Sequence, residues 1–377
     1  MDVDHIPFPD QVCIIVPTKK WSPVGLVYEN AFLQCHRFVW DTQKPKLQPD
    51  LFEAILSDHK QIFVEAKDAS AKAIADIARI ARRNGLHCIM LVLPRHDEIS
   101  VDHSRVDTIR LEGLEPVLER QPMPNDLSHL HGPFDIIGDV HGCYDELCQL
   151  LVKLGHARQS CGSDIECISH ASGRRLAFVG DLTDRGPKNL DVLRLVMLLE
   201  QEHDALVLAG NHDDKLARHL NGADLEIMHG MQVTVRELAC LTSSDRQKLA
   251  MWLTSLKTHF VLDGGNLILA HAGLPEALHG VCSQAARAHA LYGKPTGEID
   301  EAGYPTSEDW AQDYRGAACV VHGHVIYEKP RILNNVYAID TGCVEGGELT
   351  AMQWPERTFV SVKPPCTYYQ SNRRRRT

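Results

Sequence analysis

The residues of this chain that could do chemistry are Asp139 and His141, then Asp181, Asp184 and Arg185, then Asn211 and His212, and further on His271, His322, His324 and Asp340. Asp139, His141, Asp181, Asn211, His271 and His324 amount to two aspartates, three histidines and one amide oxygen. Hard oxygen and borderline nitrogen donors in that mixture suit a first-row divalent ion such as manganese, iron or zinc better than calcium or magnesium. No cysteine belongs to the set, which argues against a structural zinc site. A carboxylate shared by two ions about 3.5–4 Å apart is the arrangement that holds both the attacking and leaving oxygens of a phosphoryl displacement. Asp181, central in order, is the natural bridge. Arg185 offers the planar fork best matched to phosphate oxygens. His212, next to Asn211, is positioned to protonate a leaving oxygen, with Asp184 orienting its other ring nitrogen.

The elements that must position these groups are legible as six short apolar runs, each ending at a tight turn: Phe134 to Gly138, Leu176 to Gly180, Leu206 to Gly210, Leu267 to Ala270, Cys319 to Val321 and Val336 to Ile339. They read as buried strands. Such a strand has no room for an unpaired charge, so an acid, imidazole or amide at its end, beside glycine, is set to meet a partner beyond the strand. The six endings can converge on one edge. Helices are expected over Tyr144 to Leu154, Asn189 to Glu202 and Asp213 to His219, each after a site loop. Leu190, Leu193, Val196 and Met197 share one face of the second, as sheet packing requires.

Five motifs carry a resemblance: GDVHG at Gly138 to Gly142, GDLTDRG at Gly180 to Gly186, GNHD at Gly210 to Asp213, HAG at His271 to Gly273 and HGH at His322 to His324. In content and order they resemble the calcineurin-like metallophosphoesterase superfamily. Protein phosphatases of the serine/threonine class carry arginine before the GNH element, where this chain has Ala209. The stretches GNHDDKLARHLNG from Gly210, VLDGGNLILAHAGL from Val261, ALYGKPTGEIDEAGYP from Ala290, DYRG from Asp313 and AIDTGCVEGGELTA from Ala338 are similar to the phosphatase domain of bacterial polynucleotide kinase-phosphatase. They are similar, less closely, to bacterial diadenosine tetraphosphate hydrolases.

The resemblance implies a four-layer β-sandwich flanked by helices, an α/β fold. It also implies two divalent ions, manganese before iron, nickel or zinc. By position Asp139, His141 and Asp181 would hold the first ion, and Asp181, Asn211, His271 and His324 the second. Arg185 would grip the scissile phosphate, His212 and Asp184 would form the acid pair, and Asp340 would sit beneath the ligands. His324 rather than His322 is the expected ligand, and Val325 replaces a common threonine. The activity implied is removal of 2′,3′-cyclic or 2′/3′-phosphates from nucleic-acid ends, as in RNA repair. The alternatives are a protein phosphatase, a bis(5′-nucleosyl)-tetraphosphatase, or a non-enzymatic partner-binding protein.

The rest of the 377 residues sets limits. An apolar content of 44% is that of an ordinary globular chain, long enough for two domains. No apolar stretch approaches a membrane span, and Val12 to Val16 is too short for a signal-peptide core, so the expected location is cytoplasmic. Twelve cysteines without regular pairing read as reduced thiols. Cys143 and Cys343, near the site residues, read first as small apolar filler, with a redox or metal role as the alternative. A net charge of −11 excludes a large nucleic-acid platform, though a terminal nucleotide needs far less surface. Residues 1–110 read as a small α/β domain, with strands at Val12 to Val16, Gln61 to Glu65 and Cys88 to Leu93 and a helix from Ser70 to Asn84 stopped by Asn84-Gly85. Its order of elements resembles a P-loop kinase, but Pro17 to Pro23 lacks the glycines and Lys-Ser/Thr pair that cradle phosphates, so it reads as a non-catalytic relative of that kinase or an unrelated α/β module, with docking of a repair partner belonging to the non-enzymatic alternative. Residues 111–132, with Pro116, Pro122 and Pro124, read as a linker, 133–363 as the phosphoesterase domain, and 364–377, with Arg373 to Arg376, as a solvated basic tail.

Overall fold

The computed structural model describes residues 5–9, 11–18, 35–41, 52, 56, 61–67, 70–92, 107–110, 117–121, 123–160, 165–299 and 305–371. They form two compact units, Met1–Pro124 with Val281–Ala286, and Asn125–Gly280 with Arg287–Thr377.

In the first unit β1 (His5–Pro9), β2 (Val12–Thr18), β3 (His36–Asp41), β4 (Gln61–Lys67), α1 (Ala71–Arg83), β5 (His87–Val92), β6 (Asp107–Arg110) and β7 (Val117–Gln121) follow in order. Five of the strands make an all-parallel sheet in the order β3-β4-β2-β5-β6. Val12 to Val16 is wholly buried, as a continuous apolar run in a parallel sheet should be. Helix α1 begins where the Ser70 hydroxyl accepts from the Ala73 amide at 3.3 Å, and ends at Asn84, followed by Gly85 at φ +81°. Its Ile74, Ile77, Ala78 and Ala81 are buried. The strands and helix read from the sequence of this unit all form. The expected linker does not run unstructured: β7 pairs in parallel with β1, and Asp126–Leu127 is a further short strand. Pro116, Pro122 and Pro124 bracket these strands rather than interrupt them, which is where proline is tolerated. The loop that would bear a kinase phosphate site, Lys19 to Pro23, lies outside the described residues.

In the second unit the chain runs β8 (Asp126–Leu127), β9 (Phe134–Ile137), α2 (Tyr144–Leu154), β10 (Ala157–Gln159), β11 (Ile165–Cys167), β12 (Arg175–Phe178), α3 (Asn189–His203), β13 (Leu206–Val207), α4 (Asn211–Leu220), α5 (Met231–Leu238) and α6 (Ser243–Ser255). It continues through β14 (His259–Leu262), β15 (Leu267–Ala270), α7 (Gln284–Tyr292), β16 (Pro295–Ile299), β17 (Pro305–Ser307), β18 (Cys319–His322), β19 (Arg331–Leu333), β20 (Val336–Ala338), β21 (Leu349–Trp354) and β22 (Thr358–Val362). One sheet is ordered β13-β12-β9-β21-β22 and the other β19-β20-β18-β15-β14-β8. Alternate residues of the first sheet, Phe134, Ile136, Ala177, Val179, Met352 and Trp354, meet Leu267, Leu269, Val321, Tyr337 and Ile339 from the second. On the first sheet's other face Ile137, Leu176, Phe178 and Val207 pack against Leu147, Leu151, Leu190, Leu193 and Val196 of α2 and α3. Ile268, Val320 and Val336 on the far face of the second sheet are covered by Ala311 and Tyr314. This is the expected layered α/β sandwich.

Each sheet contains one parallel triplet, β9-β12-β13 and β15-β18-β20. All six expected endings are the carboxyl ends of these triplets, so Asp139, Asp181 and Asn211 leave one sheet where His271, His324 and Asp340 leave the other. The third run is strand for only Leu206–Val207. Helix α4 starts at Asn211, two residues before the expected Asp213, because the Asp213 carboxylate accepts from the Gly210 amide at 2.9 Å and caps the first turn. The described part of the expected tail is also ordered. The Tyr368 and Tyr369 amides bond the Val344 carbonyl at 3.0 and 2.9 Å, and both rings pack on the helix-side core. Arg373 to Arg376 lie outside the described residues. Among the described residues every cysteine is a free thiol, and no helix is long and apolar enough to cross a membrane.

One buried charge sits inside β9 rather than at its end. Asp135 meets Arg174 Nε at 2.9 Å, His156 Nε2 at 2.8 Å and Gln353 Nε2 at 3.1 Å. Burial alone would raise this carboxyl, but His156, Gln353 and Arg174 outweigh it and hold it below its ordinary value. Removing one partner of a buried pair strands the other, so Arg174→Ala should lower the urea-unfolding free energy of this unit by about 3 kcal/mol at pH 7. A depressed folded pKa means that the contribution is complete above the unfolded value and lost as pH falls through the folded one. The deficit measured for Arg174→Ala should therefore shrink toward acid pH; a constant deficit from pH 7 to pH 3 would exclude an ionic origin.

Candidate metal centre

The turns that carry the site residues are strained in a way that aims side chains rather than backbone. His141, Asp181, Asp184, Arg185 and His324 all have positive φ, between +45° and +75°, a region that non-glycine residues rarely occupy. Close approach of the loops demands glycine at two points. A Cβ on Gly210 would lie 2.1 Å from Asp181 Oδ1, and one on Gly323 would lie 1.7 Å from Asp139 Oδ1.

Asp181 lies at the centre. Its Oδ1 accepts from the His212 amide at 2.9 Å, while its Oδ2 stands 3.5 Å from His141 Nε2 and 3.4 Å from His271 Nε2. The other nitrogen of each ring is committed: His141 Nδ1 donates to the Thr183 carbonyl at 2.7 Å and His271 Nδ1 to the Val179 carbonyl at 3.1 Å. In the neutral rings both Nε2 atoms therefore present lone pairs to the same carboxylate oxygen. Asn211 Oδ1 is 3.0 Å from His271 Nε2 and 2.8 Å from His324 Nδ1, and those two nitrogens are 3.2 Å apart. Facing groups of this kind are reconciled by a proton on one ring or by a cation among them.

Asp139 completes the first cluster. Its Oδ2 accepts from the His324 amide at 3.0 Å, and its buried Oδ1 has no hydrogen-bond partner. Burial, then the charges of Asp340 and Asp181, push its carboxyl well above the ordinary value. Burial likewise pushes Asp340, beneath it, up to about 6. Around Asp181 the balance reverses: burial would raise it, but His271, His212 and His141 together hold it well below the usual range. In His271 burial disfavours the charged ring, yet Asp181 overcomes this and raises it. The same field would stabilise a metal ion in the proton's place. An orphaned carboxylate oxygen and converging imidazole and amide donors are a set that divalent metal ions would fit.

The acid pair is also built. His212 Nδ1 lies 2.6 Å from Asp184 Oδ2, and Asp184 Oδ1 accepts from the Thr234 hydroxyl at 2.6 Å. Arg185 reaches His141 Nε2 and His212 Nε2 with its two terminal nitrogens, at 3.1 and 3.2 Å, so its fork spans the gap between the metal cluster and the acid. The Tyr369 ring lies 5.5 Å below the guanidinium. His322 turns away, donating to its neighbour's carbonyl at 2.9 Å, and burial pushes it down to about 4. Ala209 is core packing. Beyond His324 is a small cavity lined by Trp310, Tyr327 and Arg331, but Arg331 is held by Asp309 at 2.7 and 2.8 Å.

Three contributors escaped the sequence reading: Thr234, Asp213 as the clamp that bonds the Leu182 and Gly210 amides, and Tyr369. Asp213 stands inside the GNHD motif and was within reach; Thr234 and Tyr369 lie on segments with no local signal.

A model of the calcineurin-like phosphoesterase family matches residues 132–327. The chain belongs to that family. Calcineurin-like phosphoesterases use divalent metal ions, and this member is a metal-dependent phosphoester hydrolase. Among curated proteins it is 41% identical over 239 residues to the bis(5′-nucleosyl)-tetraphosphatase PrpE of Anoxybacillus flavithermus, covering 62% of this chain and 96% of that one. It is 43% identical over 232 residues to PrpE of Geobacillus thermodenitrificans (60% and 93%) and 38% identical over 242 residues to PrpE of Bacillus subtilis (63% and 97%). A crystal structure provisionally described as a diadenosine tetraphosphatase is 24% identical, with a TM-score of 0.46, covering 63% of this chain and 96% of that one. These relatives correct the expectation that polynucleotide kinase-phosphatase is the nearer kin: the two candidate resemblances change places.

Asp181→Ala should reduce bound manganese, measured by equilibrium dialysis and elemental analysis, from two ions per chain to one or none. Asp181→Asn, which keeps an acceptor for the His212 amide, controls for folding. Retention of two tight ions in both variants would exclude the bridge.

Proposed function

We propose that this phosphoesterase hydrolyses dinucleoside polyphosphates, cleaving a tetraphosphate bridge between two nucleosides. The observation that carries this reading is the 38–43% identity to PrpE proteins across 93–97% of their lengths. Each match is longer than the whole first unit, and so must include the unit that bears the site.

Asp139, His141 and Asp181 would hold one ion, and Asp181, Asn211, His271 and His324 the other, the mixed donor set suiting a first-row divalent ion such as manganese, iron or zinc. When bound, the pair supplies Lewis-acid polarisation of the phosphate and activation of water. The protein's own groups do the rest. Arg185 meets the equatorial oxygens of the scissile phosphate as charge develops on them, and the Tyr369 ring limits where its fork can lie. His212 holds a proton on Nε2 for the leaving oxygen. Asp184, fixed by Thr234, accepts from Nδ1–H, so the ring carries that Nε2 proton as the imidazolium, which Asp184 orients toward the leaving oxygen. Asp340 supports Asp139 from below. Attack is in line, without a phosphoenzyme.

The acid pair is the one observation that favours the second reading, a phosphatase of nucleic-acid ends. A sugar alkoxide is a poor leaving group and needs a proton, whereas a nucleotide phosphate leaves with far less help. The two readings therefore predict different sensitivities. Manganese-activated kcat/KM should be highest, by about tenfold or more, for diadenosine tetraphosphate in a panel with 2′,3′-cyclic phosphate RNA, 3′-phosphorylated RNA and DNA, and a phosphopeptide. A nucleic-acid end at the head of that order would transfer the assignment to the second reading. His212→Ala should cost about 10²–10⁴ in kcat on a 3′-phosphate ester but much less on the tetraphosphate or on an activated aryl ester. Equal losses on all three would exclude a general-acid role.

A further inference from the structure

Apart from the catalytic centre, one polar cluster lies in the apolar layer between the helices and the first sheet. Cys143 precedes α2, Glu146 lies in its first turn, and Cys343 opens the turn that follows Asp340 by three residues. All three are buried, at 0%, 1% and 2% exposure. One sulfur from each cysteine and one carboxylate oxygen lie within 4.8 Å of one another. Glu146 Oε1 accepts from the Tyr368 hydroxyl at 2.9 Å, but Oε2 has no hydrogen-bond partner. Around them are Leu147, Leu151, Val344 and Leu349, which offer nothing polar.

An unpartnered carboxylate oxygen in such surroundings costs several kcal/mol. Packing gives no reason for a glutamate here, since a methionine or leucine would fill the space without that penalty. Two thiols beside this carboxylate supply the reason. We propose that Cys143, Cys343 and Glu146 form a second metal site, separate from the catalytic pair, for a thiophilic divalent ion of the zinc class. Zn–S bonds of about 2.3 Å and Zn–O bonds of about 2.0–2.2 Å put tetrahedral ligands roughly 3.5–3.8 Å apart. The observed spread needs only a small contraction to reach this. The Tyr368 hydroxyl fixes the carboxylate from outside, as partners of metal ligands commonly do. The site selects against the catalytic ions by softness: the catalytic donors are oxygen and nitrogen alone, whereas this trio is two-thirds sulfur. Its role is mechanical. Cys143 is two residues from His141 and Cys343 three from Asp340, so one ion would pin the loop of the first sheet to the loop of the second just behind the catalytic donors.

The test uses cobalt(II) as probe on the full chain, freed of metal by chelation, in a Cys240→Ser/Cys366→Ser background that removes the two exposed thiols. Thiolate ligation gives cobalt an intense near-ultraviolet charge-transfer band that the oxygen and nitrogen donors of the catalytic centre do not give. The band should appear at one equivalent per chain, persist in Asp181→Ala, and vanish in Cys343→Ser with the loss of one bound ion. Zinc should displace it. In parallel, cobalt or zinc should slow the reaction of two thiols with an aromatic disulfide reagent, which reaches these buried sulfurs only when the chain opens locally, a readout that does not depend on any variant folding. Absence of the band, or its survival in Cys343→Ser, would overturn the site.

Discussion

One carboxylate oxygen, Asp181 Oδ2, stands about equally far from two imidazole nitrogens whose opposite nitrogens are already tied to backbone carbonyls. Neither ring can turn to relieve the arrangement without giving up a buried hydrogen bond. The three acceptors thus form a fixed socket for positive charge, and most of the unit serves to maintain it. The Asp181 backbone is held at φ +50°, the Gly210 turn passes close against its side chain, and Asp213 clamps both turns through the Leu182 and Gly210 amides. A backbone held in an uncommon region persists only where its surroundings over-determine it, and here the Gly210 approach and the two Asp213 bonds do so.

The sandwich explains why such a socket can be assembled at all. In a parallel triplet the strand ends lie side by side and all face one way, so each sheet delivers three loops to one edge. Stacking two sheets through Phe134, Ile136, Leu267 and Leu269 brings the edges together. The first sheet contributes Asp139, His141, Asp181 and Asn211, and the second His271 and His324. Both aspartates of the donor set thus come from one sheet, and the mutual shifts of Asp181 and His271 follow from their meeting across the two. Asp135, one strand residue earlier than the site loops, shows the contrasting case. It is just as buried, but Arg174, His156 and Gln353 satisfy it, and it is left with no capacity for a ligand.

How much of this was legible in the sequence follows from how local each cause is. The strand endings were readable because a polar residue after a buried apolar run is a conflict that only a partner resolves, and the conflict is visible within five residues. The His212–Asp184 pair was readable because both members lie in motif turns. Thr234 and Tyr369 were not, since their roles depend on α5 and the C-terminal segment folding back, and a lone threonine or tyrosine carries no local mark. The same limit misled the reading of 111–132 and 364–371. Prolines and a basic run are strong local signals, but strand pairing with β1 and β14 and packing of Tyr368 and Tyr369 are distant events. The choice between the two kindred enzyme groups was beyond local signals for a further reason: both share the metal donors, so the residues that separate them are not those that bind metal.

That separation between catalytic donors and discriminating residues bears on how substrate choice arises in this unit. Ala209, read from the sequence as the mark of an end-processing enzyme, is packed in the core and faces no substrate. Its lack of charge removes one phosphate contact but specifies nothing in its place. Arg185 is then the one guanidinium among the described residues that reaches the acid and the metal cluster together, while the nearby Arg331 is neutralised by Asp309. The chemistry of the site is thus general to phosphoesters, and neither Ala209 nor Arg331 adds a charge that would single out one of them.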